Sequence, residues 1–168
     1  MNESIGSALL FNLVLVFVIV LSGLFIGSLA YTKAFKVKNK IIEEIEKNGE
    51  YSSNPEKAYD DAEGEIISWL NSKSDSGFGI GYRKNTNAGS RVSCPKYKDT
   101  TAINTISDYE YCIYMINTCV DSDNRNLKKD KCGLYYHVTT FMYVDFPIVD
   151  QFSIPVNGET MTFKIRTN

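Results

Sequence analysis

A long uncharged stretch near the N-terminus constrains this chain more than any other feature. Residues 8–31, ALLFNLVLVFVIVLSGLFIGSLAY, contain no Asp, Glu, Lys or Arg. A helix of this length measures about 36 Å, and the hydrocarbon core of a bilayer is about 30 Å thick. The stretch is longer than the apolar region of a signal peptide, and residues 1–7 lack the basic residues that precede one. Because helices of a globular core are seldom apolar on every face, the stretch predicts a retained membrane-spanning helix.

One face of this helix carries small residues and continues into the polar sequence beyond it. Gly23 and Gly27 form a GxxxG pair, which allows another backbone to approach closely, although glycine is frequent in membrane helices generally. A helix that only anchors a protein in lipid has no need of an apolar face that continues past the membrane. We therefore predict that the helix packs against neighbouring helices. The predicted packing residues are Asn12, Gly23, Gly27, Ala30 and Ala34; Ile5, Val16, Val37, Ile41 and Ile45 also lie within about 40° of Gly23 on a helical projection.

The flanking sequence gives opposite indications about orientation. Lys33, Lys36, Lys38 and Lys40 all follow the span, and basic residues favour the cytoplasmic side. However, four cysteines lie in a small domain predicted to be rich in strands, which is typical of disulfides and an oxidising compartment. We give the cysteines more weight and expect a single-pass membrane protein whose C-terminal domain is extracytoplasmic.

The rest of the chain predicts an α+β fold. Residues 1–49 form the membrane-spanning helix and an amphipathic stem that ends near Asn48 and Gly49. Residues 50–72 hold a second amphipathic helix, which Asn54 caps and Pro55 opens. Residues 73–168 form a small antiparallel β-sheet domain with disulfides. We predict its strands at about residues 80–83, 108–118, 134–146, 152–156 and 160–166, with a break at Pro147 and a hairpin turn at Asn157 and Gly158.

The four cysteines allow three disulfide connectivities, and the sequence alone does not choose among them. Cys119 and Cys132 flank a polar loop between two predicted strands, so an antiparallel pairing of those strands favours a Cys119–Cys132 bond. Cys94 and Cys112 would then form the second bond. No C-x-x-C pair is present, which disfavours a zinc or thioredoxin-like site.

The sequence contains no catalytic, cofactor-binding or metal-binding motif that we accept. His137 is the only histidine, and nothing places a nucleophile beside it, so we interpret it as structural. The acidic stretch that begins at Asp121 has Arg125 where an EF-hand needs an oxygen ligand and Cys132 where it needs a glutamate, so we reject an EF-hand and leave weak calcium binding as an open alternative. A net charge of -2 gives no general attraction to nucleic acid. We expect a protein without catalytic residues, cofactor or nucleic-acid partner.

The two ends of the chain resemble a known family. The C-terminal segment GLYYHVTTFMYVDFPIVDQFSIPVNGETMTF is similar to the ending of the TadE-like minor pseudopilins of tight-adherence pili, with a long strand, a DFP break and a strand that closes on V-x-G-x-T. Glu3 precedes the apolar run, where pilin-like helices carry an acidic residue. The resemblance implies a non-enzymatic subunit or assembly factor of a pilus at the cell envelope. Its implied partners are other pilin-like subunits, through the N-terminal helix, and membrane lipid.

A different class of function remains open at this point. In the alternative hypothesis the chain is a membrane-tethered extracytoplasmic binding or sensing module, and its helix is only an anchor. That hypothesis predicts that an unrelated span can replace the helix without loss of function. A tethered enzyme is a third and more distant hypothesis, because no catalytic motif supports it.

Overall fold

The computed structural model describes residues 2–51, 54–74, 94–104, 111–118, 133–146 and 149–164. Its elements confirm the predicted α+β class, with a long apolar N-terminal helix, a second helix and a small antiparallel sheet. The strand predicted at residues 80–83, together with Cys119 and Cys132, lies outside the described residues. The C-terminal domain is described over part of its predicted length.

Helix α1 is one uninterrupted element of 50 residues, Asn2–Tyr51. It continues through Gly49, where the sequence predicted its end. Gly49 instead makes a close contact, since a Cβ at this position would lie 2.5 Å from the Phe163 ring. Gly49 therefore provides room for an aromatic side chain of the sheet instead of terminating the helix.

A second helix packs beside the C-terminal half of α1. It starts with a short 3-10 turn, Pro55–Lys57, and continues as α2, Ala58–Ser74. The Asn54 side chain accepts a hydrogen bond of 3.1 Å from the Glu56 backbone N–H, as the predicted cap requires. The buried face of α2 includes Ala58, Ala62, Ile66 and Leu70, and Trp69 is partly buried against the same core.

Four antiparallel strands form the sheet: β1, Tyr111–Asn117; β2, Gly133–Phe146; β3, Val149–Glu159; and β4, Phe163–Lys164. Strand β2 is central, with β1 on one side and both β3 and β4 on the other. Strand β2 ends at Phe146, immediately before Pro147, as predicted.

The predicted hairpin turn at Asn157 and Gly158 is wrong, because both residues lie inside β3 and pair with Thr139 and Val138. The Asn157 side-chain oxygen accepts a hydrogen bond of 2.8 Å from the Thr139 hydroxyl across the ladder. A Cβ at Gly158 would lie 2.8 Å from Ile42 Cδ1. An Asn-Gly pair can thus sit within a strand when the glycine allows a helix to approach the sheet closely.

The main core lies between the two helices and one face of the sheet. Tyr136 extends from β2 across this core, and its hydroxyl oxygen lies 2.8 Å from the Pro55 carbonyl oxygen and 2.9 Å from that of Glu56. Burial raises the pKa of Tyr136 to about 12. The core also contains Val37, Ile41, Ile45, Ile66, Ile113, Leu134, Val138 and Phe163.

Candidate anchoring helix and its packing surface

Helix α1 is divided into an uncovered apolar half and a half that is docked on the sheet. Throughout residues 9–22 every side chain is exposed, and Leu24 and Phe25 reach 68% and 66% of their full exposure. The helix is long and apolar enough to cross a membrane. Burying one large apolar side chain contributes about 1.5–3 kcal/mol of favourable free energy relative to leaving it in water. This large number of exposed apolar side chains therefore requires lipid or other protein around it.

The docked half begins at Ala30 and Ala34, neither of which retains any exposed surface. Val156 of β3 packs against both alanines. The Thr140 hydroxyl of β2 donates a hydrogen bond of 3.1 Å to the Ala34 carbonyl oxygen. Further along the helix, Glu46 accepts a hydrogen bond of 2.6 Å from the Met161 backbone N–H. Small side chains at positions 30 and 34 therefore permit the sheet to approach the helix backbone.

This arrangement corrects the predicted packing of the helix face that carries Gly23, Gly27, Ala30 and Ala34, which we call the stripe. Ala30 and Ala34 were expected to face neighbouring helices, but the chain's own sheet covers them. Val37, Ile41 and Ile45 continue the same stripe into the domain core. The apolar face thus continues past the membrane-length segment because a domain of the same chain docks on it, and no neighbouring stem is needed to explain its continuation.

The remaining predicted packing residues lie on the undocked half. Asn12 is exposed, and Gly23 and Gly27 are half-buried. A Cβ placed on Gly27 would have no atom of the described chain within 4 Å. We call Asn12, Val16, Gly23 and Gly27 the small-residue face; it is the part of the stripe that the sheet does not cover.

On the face of the sheet opposite the helices, residues 94–104 are held by a disulfide between Cys94 and Cys112. This bond is one of the two that were predicted. Asn104 fixes the end of the segment, since its amide donates to the Tyr111 carbonyl oxygen at 2.8 Å and its side-chain oxygen accepts from the Ile113 N–H at 2.9 Å. The segment covers a second apolar cluster that includes Cys112, Tyr114 and Phe141.

His137 lies beneath this segment and packs between aromatic rings. Its imidazole stacks on Tyr97 with ring centroids 3.7 Å apart, and Tyr114 is tilted against it at 5.9 Å. Glu159 Oε1 lies 3.4 Å from His137 Nδ1 and accepts a hydrogen bond of 3.1 Å from the Tyr97 hydroxyl. Burial lowers the pKa of His137 from its ordinary value of 6.5, and Glu159 acts in the opposite direction. The imidazole of His137 therefore serves as a packing group between the aromatic rings.

Comparison with known proteins gives no relative: no family model, no curated protein and no solved structure matches this chain. Within the ranges that the structure describes, no group of three His, Cys, Asp or Glu side chains is arranged to hold a metal ion. The candidate functional surface is the apolar half of α1, because its large apolar side chains are exposed.

Two features of the sheet were not predicted from the sequence. The first is the docking row on the sheet, formed by Thr140, Val156 and Gly158; the alternation of β3 could have revealed it had the Asn-Gly pair not been interpreted as a turn. The second is the cluster of Tyr97, His137 and Glu159. Those residues are far apart in the chain, and no local pattern connects them.

We predict that enlarging two residues of the same stripe has opposite consequences. Ala34→Leu should lower the free energy of unfolding by about 1–3 kcal/mol, because the new atoms collide with β2 and β3. Gly27→Ala should leave it unchanged or raise it by up to about 1 kcal/mol, because it adds a methyl group in open space and favours the helix. Denaturant unfolding of the full chain in detergent, followed by circular dichroism, measures both. Equal losses from the two variants would contradict the division of the helix.

We also predict that acidification weakens the fold through His137. The folded chain holds the neutral imidazole, whereas the unfolded chain takes up a proton near pH 6.5. Since the unfolded state then binds more protons, the free energy of unfolding should fall as the pH drops below about 6.5. His137→Gln should lose this part of the pH dependence and keep the part due to carboxylates. A variant with the same pH profile as the unmodified chain would contradict the assignment.

Proposed function

We propose that this chain is a non-enzymatic, single-pass protein of the cell envelope, a pilin-like subunit or assembly factor of the TadE-like kind, which associates with similar subunits through its N-terminal helix. The observation that carries the proposal is the division of α1. One helix contributes both a membrane-length apolar half, whose large side chains are exposed among the described residues, and a half that is part of a folded domain.

The rigidity of this connection supports a structural role. A domain that only needs tethering can be connected to its anchor by a flexible linker, and linkers of that kind are rich in Gly and Ser. Here the helix continues from the apolar half into the core without interruption. The position and tilt of the apolar half therefore fix the position of the domain, as an ordered assembly of subunits requires.

The alternative of a tethered binding or sensing module has one observation in its favour. Because the sheet of the same chain covers Ala30 and Ala34, the stripe beyond the membrane-length segment needs no neighbouring helix. Replacement of residues 9–29 by an unrelated apolar span distinguishes the two functions: the binding module retains its function and the assembling subunit loses it.

The extracytoplasmic location is supported by the Cys94–Cys112 disulfide, because disulfides persist in oxidising compartments. We predict that in intact producing cells, with Cys119 and Cys132 replaced by Ser, an impermeant maleimide labels the chain only after an impermeant reductant is added. Labelling that needs cell lysis and no reductant would place the domain in the cytoplasm and contradict the proposed location.

The proposed association through the small-residue face is tested with a photo-cross-linking amino acid at Val16 and at Val14. Both valines are exposed, at 59% and 52%, but only Val16 lies on the small-residue face. We expect chain-to-chain products at Val16 in severalfold excess over Val14, in cells and in reconstituted membranes. Gly23→Leu should reduce the yield at Val16, because a bulky side chain prevents close helix packing.

This pair of positions is matched in residue type, depth and exposure, so a difference in yield reports the orientation of the helix face. Similar yields at Val14 and Val16 would show that the helices meet without a preferred face. That result would remove the support for an ordered assembly and leave the tethered module.

A further inference from the structure

A short segment on the outer face of the sheet has little burial of its own and lies over buried side chains. We call residues 94–104 the cover segment. None of its residues is buried, whereas Tyr114, His137 and Phe141 on the sheet beneath it retain 1%, 5% and 6% of their full exposure. A segment with few buried contacts opens at a lower cost in free energy than the core of its domain. We therefore expect the cover segment to open separately from the core.

The cover segment is attached most firmly at its two ends. At one end, Cys94 is bonded to Cys112 of β1. At the other end, the Ile103 N–H donates a hydrogen bond of 2.8 Å to the Ile113 carbonyl oxygen. Among the described residues, the main core between the helices and the sheet contains none that belongs to the segment. Residues 95–102 can therefore move away from the sheet while both ends and the main core stay in place.

The middle of the cover segment is a two-residue turn with a strained backbone. The Thr100 N–H donates a hydrogen bond of 2.8 Å to the Tyr97 carbonyl oxygen, and the Tyr97 N–H donates one of 3.0 Å in return. Between them, Lys98 and Asp99 have φ angles of 46° and 61°, a region that residues other than glycine seldom adopt. The Lys98 ammonium donates a hydrogen bond of 2.9 Å to the Tyr135 hydroxyl. Contacts with the sheet thus hold a turn that the segment by itself does not favour.

His137 is the side chain beneath this turn that responds to pH. Its ring stacks on Tyr97 at an interplanar angle of 8°, with centroids 3.7 Å apart, so the closed segment keeps the ring out of water. Burial makes the charged imidazolium costly, and the nearby Lys98 adds a like charge. Glu159, with Oε1 3.4 Å from Nδ1, favours the charged ring but does not outweigh the burial. Opening of the segment returns the ring to water and removes this cost.

The other groups that face His137 do not change charge at mildly acidic pH. Tyr97 and Tyr114 lie against its ring, and burial raises the pKa of both above the ordinary tyrosine value of 10. The pKa of Lys98 is raised by its hydrogen bond to the Tyr135 hydroxyl. Asn157 of β3 is uncharged. The ordinary histidine pKa of 6.5 lies within the range from pH 5.0 to pH 7.5, so His137 is the group to test, with Glu159 as its charged neighbour.

We infer that the cover segment is an acid-sensitive lid: protonation of His137 lifts residues 95–102 from the sheet while the two ends stay attached. One proton passes from solvent to the imidazole, and no covalent bond changes. The open state exposes Tyr114 and Phe141, which form a second apolar surface on the face of the sheet opposite the helices. The inference concerns that outer face alone and does not depend on the proposed association through α1.

The size of the expected effect follows from proton linkage. The closed state holds the neutral ring, whereas the open state takes up a proton with the ordinary pKa of 6.5. Between pH 7.5 and pH 5.0, the ratio of open to closed molecules therefore rises by up to about thirtyfold.

Hydrogen exchange of the full chain in detergent tests the inference. The amides of Tyr97 and Thr100 close the turn and report on opening, and those of Ile41 and Ile45 in α1 report on the core. After correction for the intrinsic effect of pH on exchange, protection of the two turn amides should fall by about five- to thirtyfold between pH 7.5 and pH 5.0. Low concentrations of urea should leave their exchange unchanged, because a local opening exposes little surface, and should accelerate exchange of the core amides.

Three variants identify the group responsible. His137→Gln should remove the pH dependence of the turn amides. Glu159→Gln should increase it, because the buried imidazolium then lacks the neighbour that favours it. Glu56→Gln changes the same chemical group at an exposed position on the helix side of the sheet, and this matched control should behave like the unmodified chain.

Turn amides whose protection stays constant or rises in acid would overturn the inference, because the ion pair with Glu159 would then outweigh burial. Turn amides that share the urea dependence of the core amides would also overturn it, since the segment would then open only when the whole domain unfolds. An unchanged pH dependence in His137→Gln would assign the effect to another group and overturn the role of His137. None of these outcomes bears on the proposed association through α1.

Discussion

The hydrogen bond from the Thr140 hydroxyl to the Ala34 carbonyl oxygen marks the level at which the N-terminal helix becomes part of a folded domain. On one side of that level the described residues leave most apolar side chains of α1 exposed, and on the other side α1 forms a wall of the core. Close contact at this point requires small residues on the helix, and alanines occupy both contact positions. The second helix and the strands complete the enclosure of the same stripe, so the position of the whole domain depends on this contact.

The fold class could be predicted because it rests on strong and local signals. The uncharged stretch, the Asn54–Pro55 start of α2 and the long β-branched run of β2 each indicate one element. The predictions were wrong where a residue pattern typical of a helix end or a turn instead serves a contact between distant parts of the chain. Gly49 and the Asn157–Gly158 pair are typical of a helix end and a turn, yet both glycines serve close approach, to Phe163 and to Ile42 respectively. A sequence does not show which of its glycines will be needed for contact.

The candidate surface could be predicted only in part, for a related reason. Periodicity correctly places Gly23, Gly27, Ala30 and Ala34 on one face of the helix, but it does not identify what packs against that face. The structure assigns Ala30 and Ala34 to the sheet, whereas no atom of the described residues would lie within 4 Å of a Cβ at Gly27. The cluster around His137 combines residues from three separate segments, and such a combination has no periodic signature.

The continuity of α1 also makes the molecule a lever. Residues 30–51 extend about 33 Å from the last uncovered turn of the helix, and the sheet is fastened along that length. A helix whose apolar length exceeds the bilayer thickness adjusts by tilting. Under the proposed membrane insertion of α1, a change of about 10° in tilt displaces the far end of the docked half by about 6 Å. The thickness of the surrounding bilayer would then set where the outer face of the sheet, with its Cys94–Cys112 segment, is presented.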